Sequence, residues 1–404
     1  MNPARRILAN FLHLSAGEAA ARLLSFLAFA HLARVLGSAG FGQVGLVLTI
    51  VAYLQIPVLQ GFDSVAMRDV SRDRSRDRSI LRRYAGSILL MRLLAAVLTV
   101  GVVAAAIRSP VRALLLLWSL TLFAQATSLK WAFQAVENAR PVAVANILSQ
   151  VVFAAGALSV AEPARVLDVA LWAVAGEAGA ALALGAGFVR QFGWPRPGVD
   201  GRLFLESAPL AASSLLGTLL FNFDVLALAW FQTPADVGLY TAVYKLVLLF
   251  AAPLTLLQIS LLPALARAAA GGALEVAAKA RPALRWLAVV FVPLPFAGWL
   301  AAPYLLALLY GPEYTAGGAA LQILLASLPF MAFRSLFRII LVACGLQRLD
   351  LRVVLAGTAT NVAVDLALVP RWGVIGAAAG TLSSEVAIFL LSYYYIRTRV
   401  RAFR

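Results

Sequence analysis

The sequence predicts an all-helical integral membrane protein with about twelve transmembrane helices. Of its 404 residues, 62% are hydrophobic and only 13% are charged, with a mean hydropathy of +0.88. Soluble domains are roughly half apolar and a quarter charged. The apolar stretches are continuous and reach the roughly 20 residues that a helix needs to cross a bilayer. They lack the alternation of polar and apolar residues of membrane-barrel strands, so helices are the spanning structure that lipid allows here.

The predicted helices are separated mostly by short connections rich in glycine, proline or charge. We place them at residues 8–35, 40–66, 80–106, 112–135, 141–160, 166–190, 205–231, 236–262, 283–309, 317–343, 350–369 and 372–396. Two longer connections, 67–83 and 264–282, are predicted to form short interfacial helices. The first apolar stretch lacks a small-residue cleavage region after a short core, so we expect it to be retained as a helix.

Basic residues are distributed unevenly over the two predicted faces. Of the 34 Lys and Arg residues, 24 lie at the termini or in one set of alternate loops, and five lie in the opposite loops. Short loops rich in Lys and Arg stay in the cytoplasm. We therefore expect a multi-pass protein of the bacterial cytoplasmic membrane with both termini cytoplasmic. The net charge of +16 reflects this topology, and no nucleic-acid partner is predicted.

The sequence also repeats itself after about 200 residues. LARVLGSAGFGQVGLVLTIVAYL, around the first hairpin, resembles LALAWFQTPADVGLYTAVYKLVL, around the seventh and eighth helices, and aligns Gly42 with Gly238. Six helices separate the copies, and an even number of crossings makes the repeat parallel. We predict two six-helix lobes around a central cavity, as in alternating-access transporters. The predicted segments are an N-terminal lobe (1–190), a cytoplasmic linker (191–203), a C-terminal lobe (204–396) and a cytoplasmic tail (397–404).

Signals of enzyme chemistry are missing from the sequence. The two histidines, His13 and His31, are five turns apart on one predicted helix, and Cys344 is the single cysteine. No P-loop motif is present. The predicted outer loops are shorter than about ten residues, which leaves no room for the acidic outer domain of a membrane glycosyltransferase or polymerase. We therefore predict a transporter with no catalytic residues, no metal site and no cofactor.

Charged residues inside the predicted helices are the candidate functional residues. Each costs about 2.5–3.5 kcal/mol at the centre of a helix on insertion scales, so it should face protein or water. The basic candidates are Arg22, Arg92, Lys245, Arg334 and Arg338. The acidic ones are Glu18, Glu177, Asp224, Asp365 and Glu385.

The sequence leaves two interpretations of these charges open. Glu18 and Arg22 are one helical turn apart and can neutralise each other, whereas Arg338 can extend its side chain to the cytoplasmic surface. Arg92 and Lys245 have no acidic neighbour on their own helices. They either pair across helices with Glu177, Asp224 or Glu385, or line a wet cavity that binds an anion.

Short motifs in order along the whole chain resemble the Wzx-type polysaccharide flippases of the multidrug/oligosaccharidyl-lipid/polysaccharide exporter superfamily. The most specific motifs lie around the seventh and eighth helices. The motifs are Leu32 to Gly37, Phe41-Gly42, Gly61-Phe62, Asn222 to Asp224, Asp236 to Tyr240, Ala242 to Lys245, Leu262 to Arg267, Tyr310 to Tyr314, Pro370 to Gly373, Gly376 to Ala378 and Thr381 to Glu385.

The resemblance implies export of a polyprenyl-diphosphate-linked oligosaccharide from the inner to the outer leaflet by alternating access. It implies a cationic cavity for the diphosphate, to which Lys245 and Asp224 are carried over from the matched hairpin. Membrane lipids and a polysaccharide polymerase machinery would be its partners. An ion-coupled multidrug exporter of the same superfamily is the alternative function. The membrane potential alone can drive the anion outward, or Asp224, Asp365 or Glu385 can bind a coupling ion.

Overall fold

The computed structural model describes residues 3–72 and 78–400, and these ranges contain helices and turns but no strand. Side chains are described from residue 20 onward, except at positions 72, 78, 256, 259 and 263. The α-helices are α1 (Pro3–Leu59), α2 (Phe62–Arg72), α3 (Arg78–Ala106), α4 (Arg112–Ser119), α5 (Thr121–Thr127), α6 (Lys130–Ala135), α7 (Ala139–Ser159), α8 (Val166–Phe192), α9 (Gly201–Phe231), α10 (Pro234–Ala270), α11 (Ala273–Phe291), α12 (Leu294–Tyr310), α13 (Gly318–Ala343) and α14 (Gln347–Arg399). Two 3₁₀ helices, Pro163–Arg165 and Pro312–Gly317, precede α8 and α13.

Ten helical stretches in the described ranges are long and apolar enough to cross a membrane. Two helices that contain such stretches, α1 and α14, have 57 and 53 residues. At a rise of 1.5 Å per residue, each is about 80 Å long. That is more than twice the roughly 30 Å hydrocarbon core. Each is interrupted by a non-helical glycine with positive φ, Gly37 (φ 68°) or Gly373 (φ 50°), a conformation that glycine adopts without a Cβ clash. The all-helical membrane fold is confirmed, and the count of twelve crossings stays a prediction.

Two predicted boundaries are wrong because the backbone breaks do not fall where the apolar pattern ends. The predicted second helix, 40–66, ends at Leu59, since Gln60 and Gly61 both have positive φ, and α2 begins after them. The segment 264–282 is not a separate helix. Its first part is the end of α10 and the rest begins α11, with Gly272 (φ 105°) between them. Residues 73–77 of the other predicted interfacial segment lie outside the described residues.

The predicted helix 112–135 is divided into the three short helices α4, α5 and α6. The hydroxyl of Ser119 donates to the Leu115 carbonyl, and that of Thr127 donates to the carbonyls of Phe123 and Ala124. Such local bonds compete with the helical ladder. Ser128, after α5, then takes an extended conformation (φ −71°, ψ 126°).

The chain forms two compact units. The first contains residues 1–36 and 47–215, and the second contains residues 37–46 and 216–404. In the first unit, Trp131, Phe133 and Phe188 belong to a buried core built from α2, α3, α6, α7 and α8. In the second unit, α13 packs against α10 and α14. The lobe boundaries expected from the sequence stay a prediction.

A close backbone approach in the second unit joins the two glycines that the repeat aligns. A Cβ added at Gly42 would overlap the Pro234 carbonyl oxygen, and one added at Gly238 would overlap the Ser38 carbonyl oxygen. Pro234 lies four positions before Gly238, and Ser38 lies four positions before Gly42, so the two sides of the contact are equivalent. Only glycine allows helices to pack this closely.

Candidate functional site

A buried carboxylate lies at the centre of the second unit. Asp224, on α9, is 1% exposed. Its Oδ2 accepts hydrogen bonds from the Tyr240 hydroxyl on α10 and, at 2.9 Å, from Thr381 Oγ1 on α14. The Tyr240 ring stacks on Tyr244, with centroids 5.7 Å apart. Asp224 is therefore held in a fixed orientation by three helices.

A second carboxylate, Asp365 on α14, lies near the first one. It is fully buried, and neither of its oxygens has a hydrogen-bond partner among the described residues. Asn361, one turn earlier, is fully buried too, and its amide is likewise unbonded within those residues. Gly380 leaves the space for them, since a Cβ there would overlap Asp365 Oδ1. Thr381, the residue after Gly380, donates to Asp224, so this segment of α14 borders both carboxylates.

These side chains form what we call the acidic cluster: Asp224, Tyr240, Asn361, Asp365 and Thr381. An isolated carboxylate in a low-dielectric interior is strongly unfavourable unless a positive charge or a proton compensates it. The cluster offers only oxygen and amide groups, and oxygen atoms are the donors that hard cations prefer. No group of three or more His, Cys, Asp or Glu that could hold a metal is found in the described part of the chain. The arrangement is suited to a proton or a single small cation.

Glu385, the third predicted ion-coupling residue, lies in a different environment. Its carboxylate forms an ion pair with Arg334 of α13, and the two side chains are 3% and 12% exposed. The Arg334 guanidinium also lies over the Phe221 ring, 5.7 Å from its centroid. Arg334 and Glu385 thus neutralise each other inside the second unit.

Two further basic candidates also have carboxylate partners. Arg92 is 1% exposed, and its Nη2 lies 2.8 Å from Asp63 Oδ1 on α2. Arg338 Nε lies 3.3 Å from Asp350 Oδ2, and the Arg338 side chain is 53% exposed. Arg92 therefore pairs with a carboxylate on another helix, which is one of the two interpretations left open, but the partner is Asp63. It is none of the expected partners Glu177, Asp224 and Glu385.

The two other basic candidates lie in different units. Lys245 is on α10, five residues after Tyr240, and is partly buried. Arg22 is on α1 and lines a pocket of the first unit together with Lys130 and Glu177. The Glu18 side chain lies outside the described residues, so its predicted pairing with Arg22 stays a prediction.

An exposed ionic network joins α2 to the first turns of α3 and α9. Arg68 donates to Asp69 (Nε to Oδ1, 2.7 Å) and to Glu206, and Tyr84 Oη donates to Asp69 Oδ2 at 2.8 Å. Burial acts to raise the pKa of Asp69, but the hydrogen bonds from Arg68 and Tyr84 outweigh it and hold the pKa below its ordinary value. This network contributes to the packing of α2 on its neighbours.

Sequence reasoning did not find Asp63 or the polar companions in the acidic cluster. Asp63 lies in a segment that was predicted to be the end of an apolar helix, although it begins α2. Asn361 and Asp365 are four residues apart, a spacing that places them on one face of a helix. That spacing indicates, from the sequence alone, that these two polar side chains lie together. Nothing local indicates that Tyr240 and Thr381 contact the Asp224 carboxylate.

Comparison with known proteins identifies the family. Residues 7–269 match the profile of the family described as "Polysaccharide biosynthesis protein". The chain belongs to this family. Residues 209–367 also match the family described as MatE. The resemblance found in the sequence motifs is thereby confirmed. Among curated proteins, none matches the sequence.

Solved structures show that this polysaccharide biosynthesis protein has the fold of transporters of the MOP superfamily. An inward-facing multidrug resistance MATE family transporter is 14% identical, with a TM-score of 0.78 and 95% of each chain covered. The lipid II flippase MurJ is 12% identical, with a TM-score of 0.72 over 96% of this chain and 88% of its own. A MOP superfamily transporter from Pyrococcus furiosus is 11% identical, with a TM-score of 0.67 over 100% and 97%. The matched MatE family and these structural neighbours are transporters and flippases, not enzymes.

Proposed function

We propose that the protein is a flippase that moves a polyprenyl-diphosphate-linked oligosaccharide from the inner to the outer leaflet of a bacterial cytoplasmic membrane. The observation that carries this proposal is the match of residues 7–269 to the polysaccharide biosynthesis family. A solved lipid II flippase with the same fold supports it. In this proposal the protein works by alternating access, both termini are cytoplasmic, and a polysaccharide polymerase uses the product.

The five intramembrane basic residues remain the candidates for binding the diphosphate. Charge-assisted hydrogen bonds from arginine and lysine are the strong contacts to phosphate. Arg92, Arg334 and Arg338 would each have to exchange a carboxylate for the substrate. Lys245 is the residue that the family resemblance carries over, and it is the first to test.

We further propose that the acidic cluster binds a proton or a monovalent cation that couples transport to an ion gradient. Asp224 and Asp365 supply the negative charge, and Asn361 and Thr381 supply neutral oxygens. Glu385 is a weaker candidate, because Arg334 already compensates its charge.

A cation-coupled multidrug exporter is the second candidate function. Residues 209–367, which contain both carboxylates of the acidic cluster, match the MatE family. An exporter of cationic compounds would use such carboxylates for the substrate as well as for the ion. The two proposals therefore differ in the substrate that they expect to be transported.

The decisive experiment uses vesicles that contain the purified protein. Lipid-linked oligosaccharide extracted from the organism that encodes the protein, and a cationic dye, are tested as substrates. The flippase proposal expects the glycolipid to reach the opposite leaflet and the dye to stay. Transport of the dye without the glycolipid would overturn it in favour of the exporter.

Substitutions at Lys245 test the contact with the diphosphate. Lys245→Gln should slow glycolipid transport more than Lys245→Arg, because only the second variant keeps the positive charge that binds phosphate. Lys279→Gln, at an exposed position of α11, is the matched control and should transport normally. Equal rates for Lys245→Gln and wild type would remove Lys245 from the substrate site.

A further inference from the structure

A polar pocket lies within the first unit, apart from the acidic cluster. It consists of two adjoining spaces of about 210 Å³ and about 300 Å³. They share the lining residues Ser25, Ser149, Gln150 and Glu177, so the two spaces lie side by side, and we describe them together as one pocket. One end reaches Lys130 at the start of α6, and the other reaches Leu48 and Val51 of α1.

Side-chain amides dominate the polar lining of this pocket. Gln55 of α1, Gln125 of α5 and Gln150 of α7 all line its inner part. The Oε1 atoms of Gln125 and Gln150 are buried and accept no hydrogen bond within the residues that the structure describes. A buried acceptor without a donor is unfavourable. Because these two oxygens are closed off in the empty pocket, each amide would have to turn toward the pocket to accept from a hydroxyl or water there.

Aromatic rings form the apolar part of the same lining. Phe29, Trp118 and Phe153 contribute to it and are each less than a tenth exposed. The Phe29 and Phe153 rings pack together with centroids 5.2 Å apart. Apolar walls with a few placed polar groups are typical of small-molecule sites. Amides, hydroxyls and aromatic faces together match a sugar ring, which has hydroxyl groups at its edge and C–H groups on its faces.

The charges around the pocket disfavour a cationic ligand. Arg22 and Lys130 line it together with Glu177, whose Oε1 accepts a hydrogen bond from Ser149 Oγ at 3.0 Å. The two basic side chains outnumber Glu177, so a cationic compound would be repelled. A polar molecule with many hydroxyl groups is compatible with both signs of charge.

We propose that this pocket is a carbohydrate subsite that holds one sugar ring of the transported glycolipid. The inference rests on the proposed flippase function and extends it to the recognition of the sugar. The pocket volume lies at the lower end of the roughly 300–1,000 Å³ range of sites for drug-sized ligands. It therefore fits a single ring, and the rest of the oligosaccharide would lie outside it.

Binding to two lipids tests the subsite in the purified protein reconstituted in nanodiscs. The first probe is the lipid-linked oligosaccharide extracted from the encoding organism, and the second is polyprenyl diphosphate without sugar. Gln150→Leu and Gln125→Leu should each lower the affinity for the glycosylated probe by about tenfold. The affinity for the bare lipid should change less than twofold. Gln134→Leu, at an exposed position on α6, is the matched control and should leave both affinities unchanged.

Protection of a cysteine provides a second measurement that does not remove any pocket amide. Ser25→Cys, in a Cys344→Ser background, places a thiol in the wall that both spaces share. The glycosylated probe should slow its reaction with a maleimide at least fivefold, and the bare lipid should not. Equal protection by both lipids, or by neither, would overturn the subsite, as would equal affinity losses for both probes in the glutamine variants. If wild-type protein neither binds nor transports the glycosylated probe, the flippase proposal itself fails.

Discussion

Charged side chains inside this protein are of two kinds, which differ in whether a partner compensates them. Arg334 with Glu385, and Arg92 with Asp63, are neutralised in pairs. Asp365 has no such partner among the described residues. Removing one member of a buried pair leaves an uncompensated charge and costs about 3–5 kcal/mol, whereas replacing both members is often neutral. The paired arginines are therefore open to a structural test that separates stability from substrate binding.

We predict that Arg334→Gln alone destabilises the protein by several kcal/mol, on the scale of a broken buried pair. The double substitution Arg334→Gln, Glu385→Gln should recover most of this loss, since no buried charge is left. Thermal unfolding of the purified variants measures both effects. If the double variant is stable but transports no glycolipid, Arg334 also binds substrate. If it transports normally, the pair is structural.

The helical elements of the second unit meet where the repeat places a glycine in both copies. Gly42 and Gly238 each leave room for the backbone of the other segment, and Gly45 leaves room for Thr241. A methyl group at the first two positions would meet backbone carbonyls, which cannot rotate away as side chains can. Gly101, in α3, has no atom within 4 Å of the position that a Cβ would take.

We predict opposite effects for the same substitution at these positions. Gly42→Ala and Gly238→Ala should destabilise the protein because the added methyl forces the helices apart. Gly101→Ala, the matched control, should stabilise it by about 0.5–1 kcal/mol, because glycine is a poor helix former. Thermal unfolding of the three variants is the measurement. A stabilising effect at Gly42 would show that the close approach is absent in the membrane.

At the scale of the whole molecule, the sequence was sufficient for the fold class and the family. Long apolar stretches predict membrane helices because the bilayer imposes their length. The break at Gln60 was missed because a backbone turn can occur inside an apolar run without changing its hydropathy. The sequence shows which charged residues lie within apolar helices, but it does not show which side chains they contact. The contacts of Arg92 with Asp63 and of Asp224 with Thr381 depend on how distant segments pack.

The driving force of transport depends on whether the acidic cluster binds an ion. A diphosphate carries about two negative charges, and moving each across 100 mV is worth about 2.3 kcal/mol. A potential that is negative inside therefore favours outward movement by about 4–5 kcal/mol if the whole field is crossed. In the proposed flippase this driving force acts on the substrate, so it needs no carboxylate in the protein. A coupling ion bound at Asp365 would add a second driving force, the free energy of the ion gradient.

We predict that glycolipid transport in vesicles responds to an imposed Na⁺ or proton gradient when the potential is clamped to zero. Asp365→Asn should abolish this response, because the neutral amide no longer attracts a cation. Asp168→Asn, in a surface pair with Arg165 (Nε to Oδ2, 2.6 Å), is the control and should respond like wild type. Transport that follows the potential alone, in wild type and in Asp365→Asn alike, would show that the field drives the cycle. The acidic cluster would then be structural, and Asp365→Asn should raise the thermal stability, since it removes a buried charge that no partner compensates.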